Sequence, residues 1–125
     1  MSEEIKFKSL VIKESDREFT RQFGESGSFT VRIPLPYQKT AIISATSRAT
    51  GNAPIESLTV EEREYTRMIV TLNSVIVKSP DWWKGAETCP NDDFLEEVWT
   101  FYLDSEKKFL TELKKNTEGK VLGKP

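Results

Sequence analysis

The segment from Thr59 to Trp83 limits the fold of this chain most strongly, because it carries a helix start, an apolar stripe and a helix stop. Thr59 and Glu62 match the S/T-x-x-E capping box, in which each side chain accepts a hydrogen bond from the other residue's backbone N–H. Lys78 and Pro80 follow as signals for the last turn and the stop. Between these signals, apolar residues recur every three or four positions, as on one helix face: Tyr65, Met68, Ile69, Leu72, Val75 and Ile76.

Short runs of alternating apolar and polar residues before Pro34 predict β-strands. They cover residues 5–12, 17–23 and 28–33, and the glycine-rich stretch 24–27 predicts a loop between the last two. In the third run Phe29, Val31 and Ile33 share one face. The pattern favours a two- or three-stranded antiparallel sheet.

Two further helices are predicted on either side of the capped helix. The first runs from about Tyr37 to Thr50 and ends at Gly51-Asn52, with these residues facing inward: Tyr37, Ala41, Ile42, Ala45 and Ala49. The third helix starts near Asn91 and ends near Asn116, with a core-facing stripe of Leu95, Val98, Trp99, Tyr102, Phe109, Leu110 and Leu113. The fold class predicted is α+β, with an N-terminal antiparallel β-hairpin or small three-stranded sheet followed by a three-helix body.

The chain has 125 residues, which fits one domain with a real hydrophobic core. We predict a single domain over residues 1–116, with a β-rich part at 1–35 and a helical part at 36–116. Residues 117–125 lack apolar periodicity and are predicted to form a flexible C-terminal tail.

The amino-acid composition argues against several classes of function but does not identify one. The net charge of −2 predicts no nucleic-acid binding, and no apolar run predicts a membrane span or a signal peptide. Histidine is absent, which removes the Ser-His and Cys-His nucleophile arrangements. Cys89 is the single cysteine, so no intrachain disulfide forms. We therefore expect a soluble, intracellular, non-enzymatic protein without a cofactor.

Two clusters could carry chemistry, and each has a plainer interpretation. The carboxylates of Asp92, Asp93, Glu96 and Glu97 could hold a divalent cation, but acidic residues also favour any helix N-terminus. Cys89 could be a nucleophile, but a lone cysteine is commonly a small packing residue. We favour the plain interpretation in both cases, and thus predict neither a metal site nor a catalytic residue.

The adjacent tryptophans Trp82 and Trp83 are the strongest candidates for a contact with a protein partner. Tryptophan is enriched at binding hot spots, yet neighbouring loop residues rarely both face inward. We expect one ring in the core and the other at the surface. The predicted partner-binding residues are Trp82, Trp83, Tyr37 and Phe101.

The whole arrangement resembles the tail assembly chaperones of long-tailed, siphovirus-like bacteriophages. The resemblance spans about residues 28 to 115 and lies in F-T-V-R-I-P-L-P, R-E-Y-T-R-M-I-V-T-L-N-S-V-I, S-P-D-W-W and F-L-E-E-V-W-T-F-Y-L-D-S-E-K-K-F. It implies a chaperone of virion morphogenesis that acts in the host bacterial cytoplasm. Such a protein binds the tape measure protein, helps to recruit tail-tube subunits, and is not retained in the finished tail.

The resemblance leaves self-association and a longer, frameshifted product open. A second possible function is that of a structural virion protein of the tail or the head-tail connector. The N-terminal strands of such a protein would extend the sheet of a neighbour. A third alternative, a metal enzyme using the acidic cluster, lacks a second group of ligands.

Overall fold

The computed structural model describes residues 13–122, with the side chains of all of these except residue 55 and residues 115–122. Within this range a three-stranded antiparallel sheet, in the order β1-β2-β3, packs with three helices. The predicted α+β class is confirmed. The predicted strand at 5–12 lies outside the described residues. The elements are β1 (Glu18–Gln22), β2 (Ser28–Arg32), α1 (Pro36–Ala49), α2 (Val60–Val75), β3 (Ile76–Lys78) and α3 (Asp92–Leu122).

The first two strands form the hairpin that the alternation predicts. Phe19 lies opposite Val31 in the antiparallel register. Phe29, Val31 and Ile33 are all buried on one face of β2, as expected, and they form the floor of the core. On the opposite face the hydroxyls of Thr20 and Thr30 are 2.7 Å apart and hydrogen-bonded. The hairpin therefore has an apolar inner face and a polar outer face.

The third strand comes from a segment that we predicted to be helical. α2 ends at Val75, and Ile76–Lys78 pairs antiparallel with β2, with Ile76 opposite Val31. The register shifts before Thr30 meets Lys78, which leaves Val77 as the extra residue of a bulge. The helix prediction was wrong here because three consecutive β-branched residues favour a strand where a sheet edge is free.

The capping box at the start of α2 is present as predicted. The backbone N–H of Thr59 donates to Glu62 Oε1 at 2.9 Å, and the backbone N–H of Glu62 donates to Thr59 Oγ1 at 3.0 Å. The hydrogen bond from the Thr59 backbone, and next the interaction with the Thr59 side chain, lower the pKa of the Glu62 carboxyl. The contribution of this carboxylate is therefore present above its unfolded-state pKa and is lost as the pH falls through the lowered folded-state pKa.

We expect Thr59→Ala to lower the free energy of unfolding by about 1 kcal/mol, the usual cost of losing an N-cap side chain. Urea denaturation followed by far-UV circular dichroism measures this. Ser57→Ala is the matched control, because the Ser57 hydroxyl donates only to the Pro54 carbonyl within a surface turn. Equal stability of Thr59→Ala and wild type would contradict a stabilising cap.

The core is an aromatic cluster between the sheet and α3. The Phe29 ring lies 5.0 Å from Trp83 and 5.5 Å from Phe23, measured between ring centroids, and both pairs meet edge to face. From α3, the residues Leu95, Val98 and Tyr102 are buried against this cluster. Edge-to-face packing adds to the stabilisation that these side chains gain from apolar burial.

α3 begins where predicted but continues further than predicted. The backbone N–H of Phe94 donates to Asn91 Oδ1 at 3.1 Å, so Asn91 caps the helix start. The helix then runs to Leu122 and not to Asn116. Leu110, predicted to face the core, is exposed. Part of the predicted tail is therefore helical, while its flexibility stays a prediction.

α1 lies outside the core, contrary to the prediction that five of its residues face inward. None of its side chains is buried, Ala41 and Ala49 are exposed, and the Tyr37 side chain is 70% exposed. Ile42 packs against the edge of the core, and the helix contacts chiefly α2. The physical reason is that a helix rich in Thr and Ser offers too narrow an apolar stripe to be enclosed.

Candidate binding surface

The acidic residues at the start of α3 are spread along an exposed helix face. Asp92, Asp93, Glu96 and Glu97 are all exposed, and the last three line a shallow cleft together with Arg21. Among residues 13–122, no group of three or more His, Cys, Asp or Glu side chains is placed to hold a metal ion. These four carboxylates lie near the N-terminus of α3, where negative charge interacts favourably with the helix dipole.

Cys89 and Tyr102 are the other groups with reactive side chains near the core. The Cys89 thiol is half-buried and donates to the Asn91 carbonyl oxygen at 3.4 Å. The Tyr102 hydroxyl donates to Glu106 Oε2 at 2.9 Å within α3. Burial, with the Glu106 carboxylate as a further cause, raises the pKa of Tyr102. Both side chains are thus engaged in local packing contacts.

The two tryptophans divide between core and surface, and that prediction is confirmed. Trp83 is 9% exposed and packs on Phe29, whereas Trp82 is 43% exposed. The Trp82 ring is nevertheless held in place, because its Nε1–H donates to the Ser26 carbonyl oxygen at 2.6 Å and the ring packs at a tilt against Phe94. Trp82 therefore ties the β1–β2 loop to the segment after β3, and only part of the ring is free for a partner.

Phe101 and Tyr37, the other two predicted partner-binding residues, lie in opposite environments. Phe101 is buried, with its ring 5.8 Å from that of Phe23, because it shares the inward face of α3 with Val98. In this fold its side chain is not accessible to a partner. Tyr37 lies at the first turn of α1 and projects into solvent.

Tyr37 stands at one end of a groove that we call the α1 groove. The small side chains of Ala41 and Ala45 line it, as does Val77 from the bulge of β3. The groove encloses about 480 Å³. The residues that line it are Arg32, Pro34, Tyr37, Gln38, Ala41, Ile42, Ala45, Arg48, Ser74 and Val77. It is thus formed jointly by the end of β2, the β2–α1 connector, α1, the end of α2 and β3.

A buried arginine fixes the connector that forms one wall of the groove. Arg17 Nη1 donates to the Ile33 carbonyl oxygen at 2.7 Å and reaches Gln38 Oε1 at 3.4 Å. Gln38 Oε1 also accepts from the Leu35 backbone N–H at 2.8 Å. These bonds hold the first turn of α1 against the hairpin, so the groove is preformed by ordinary structural contacts.

A second cleft lies at the other end of the α1–α2 pair. Leu58 and the half-exposed Tyr65 provide its apolar surface, and Glu61 and Glu62 provide its charge. Tyr65 was predicted to face the core, but its side chain is 52% exposed. The charged side chains that line the two clefts therefore differ in sign: they are carboxylates in this cleft and arginines in the α1 groove.

The sequence indicated one residue of the α1 groove as a binding residue, Tyr37, and missed Arg48 and Val77. Arg48 follows Tyr37 by three helical turns, so it shares a flank of α1 with it. The sequence feature that could have indicated Arg48 is the complete absence of Asp and Glu from residues 36–49. No local pattern indicated Val77, since its position depends on the pairing of β3 with β2.

Comparison with protein families, with curated proteins and with solved structures finds no match for this chain. Within residues 13–122, no helix is both long enough and apolar enough to cross a membrane.

Proposed function

We propose that this chain is a non-enzymatic tail assembly chaperone of a long-tailed bacteriophage, which binds the tape measure protein in the host cytoplasm and helps to recruit tail-tube subunits. The sequence resemblance suggests the system, and the α1 groove suggests the mode of binding. A groove lined partly by apolar side chains between helices suits an amphipathic helix, which lays its apolar face into it.

The observation that carries the proposal is the exposure of α1. A 14-residue helix without a single buried side chain gains little from the fold, yet it presents Tyr37, which is 70% exposed, at the α1 groove. Exposed apolar surface arranged along a groove is typical of protein interaction sites. A shallow groove gives modest affinity, so many copies along one long partner would act through avidity.

Co-expression with the tape measure protein of the same phage tests the proposal. We expect wild type to raise the soluble fraction of that protein and to form a complex that survives gel filtration. Tyr37→Ala is expected to weaken the complex about tenfold, the effect of losing a moderate aromatic hot spot. Titration of a labelled tape measure fragment by fluorescence anisotropy measures the loss.

Ile43→Ala is the matched control, because Ile43 is as exposed as Tyr37 and lies on the same helix but outside the groove. It should bind like wild type. An unchanged soluble fraction with no complex would refute the chaperone proposal. A complex that Tyr37→Ala and Ile43→Ala weaken equally would refute the groove as its site.

A structural virion protein is the second candidate, and the position of β1 favours it. Among the described strands β1 is at the edge of the sheet, so the outer side of Glu18–Gln22 can pair with a strand of a neighbour. Mass spectrometry of purified virions distinguishes the two functions. A chaperone should be absent from particles, whereas a tail or connector protein should be present at a fixed copy number.

A further inference from the structure

The charged side chains that line the α1 groove are of one sign. Among the residues that line it, the charged side chains are Arg32 and Arg48, and none is a carboxylate. α1 itself contains Lys39 and Arg48 but no Asp or Glu, although the chain has 20 acidic residues. The charged side chains that line the groove are therefore basic, on a protein of net negative charge.

The two arginines differ in how much of their charge is already balanced. Arg32 donates from Nε to Glu18 Oε2 at 3.0 Å and forms an ion pair with Glu14 Oε1 at 3.0 Å. The hydrogen bond to Glu18 is the main cause that raises the pKa of Arg32. The guanidinium of Arg48 has no such carboxylate within the part of the chain that the structure describes. Arg48 is thus the charge that is available to a ligand.

The spacing of the groove residues sets the length of its occupant. Tyr37 and Arg48 are separated by about three turns of α1, which is roughly 16 Å along the helix axis. The small residues Ala41 and Ala45 lie between them and allow the backbone of a second helix to approach closely. A helical segment of about three turns would cover this distance.

We propose that the α1 groove binds an amphipathic helix of the partner that is acidic on the flanks of its apolar face. An apolar side chain of this helix packs beside Tyr37, small and aliphatic side chains lie over Ala41 and Ala45, and a carboxylate about three turns away pairs with Arg48. This inference rests on the proposed function and specifies the chemistry of the segment recognised.

The probe is a pair of synthetic 18-residue peptides with the same leucine stripe, one with glutamates and one with lysines flanking it. Fluorescence anisotropy of each labelled peptide against the full chain measures affinity. We expect the glutamate peptide to bind at least about tenfold more tightly than the lysine peptide at low ionic strength, because exposed charges act over a longer range when salt is low.

Arg48→Glu is expected to weaken binding of the glutamate peptide about tenfold and to strengthen binding of the lysine peptide. Lys107→Glu is the control, since it makes the same change of charge on the exposed face of α3, outside the groove. It should leave both affinities within about twofold of wild type. Thermal unfolding of the variants tests that Arg48→Glu is folded, and Arg48→Gln provides a milder second substitution with an intermediate loss.

The outcomes separate this inference from the proposed function. If neither peptide binds, or both bind equally, the acidic helix is refuted. If at the same time the tape measure protein still forms a complex that depends on Tyr37, the chaperone proposal stands without it. Light scattering that shows concentration-dependent assembly of the chain alone, abolished by Arg48→Glu, would make a second copy the occupant and overturn the partner helix.

Discussion

Replacing Trp83 with alanine is expected to lower the free energy of unfolding by about 4 kcal/mol, the usual cost of removing a large aromatic side chain from a core. Trp83 packs edge to face on Phe29, with ring centroids 5.0 Å apart, and Phe29 is completely buried. Removing the indole opens a cavity beneath the sheet, which the rigid strands cannot fill by collapsing. For a protein of this size that loss is a large part of the total stability.

The neighbouring tryptophan provides the matched control. Trp82→Ala removes the same side chain, but this ring is 43% exposed, so we expect a loss of about 1–2 kcal/mol from partial burial and the hydrogen bond to Ser26. Urea denaturation followed by far-UV circular dichroism compares both variants without relying on tryptophan fluorescence. Equal losses would mean that the division of the pair between core and surface is wrong.

Features that depend on adjacent residues could be predicted from the sequence. The capping box of Thr59 and Glu62, the alternation in 28–33 and the start of α3 at Asn91 all appear in the structure, because each is set by contacts within a few residues. The division of Trp82 and Trp83 followed from a general argument about neighbouring loop residues.

Features that depend on distant partners could not be predicted in the same way. Val75, Ile76 and Val77 continue an apolar helical stripe as well as they form a strand, and only the free edge of β2 decides between the two. The exposure of Tyr37 likewise depends on distant residues, because the sheet and α3 already cover the core and α1 is left outside it. The α1 groove joins residues from two separate parts of the chain, 32–48 and 74–77, so Tyr37 could be named but the groove could not.

Gly27 is the position where one added methyl group should have the next largest effect. Its φ of +111° and ψ of −176° lie in a region that is essentially restricted to glycine. A Cβ atom built there would also overlap the ring of Pro80, which lies against the β1–β2 loop. We expect Gly27→Ala to lower the free energy of unfolding by about 3 kcal/mol, from backbone strain and steric overlap together.

Gly24→Ala tests a glycine of positive φ without the steric overlap. Gly24 also has a positive φ, +53°, but a Cβ there meets nothing within 4 Å, so we expect a loss of about 1 kcal/mol.

In the double variant Gly27→Ala/Pro80→Ala the overlap is relieved while the strain remains, so part of the stability should return relative to Gly27→Ala. Thermal and urea unfolding measure all four proteins, wild type included. If Gly27→Ala and Gly24→Ala were equally stable, the contact between the β1–β2 loop and Pro80 would not be part of the folded state. That loop would then be anchored by the packing of Phe23 on Phe29 and by the hydrogen bond of Trp82 to Ser26.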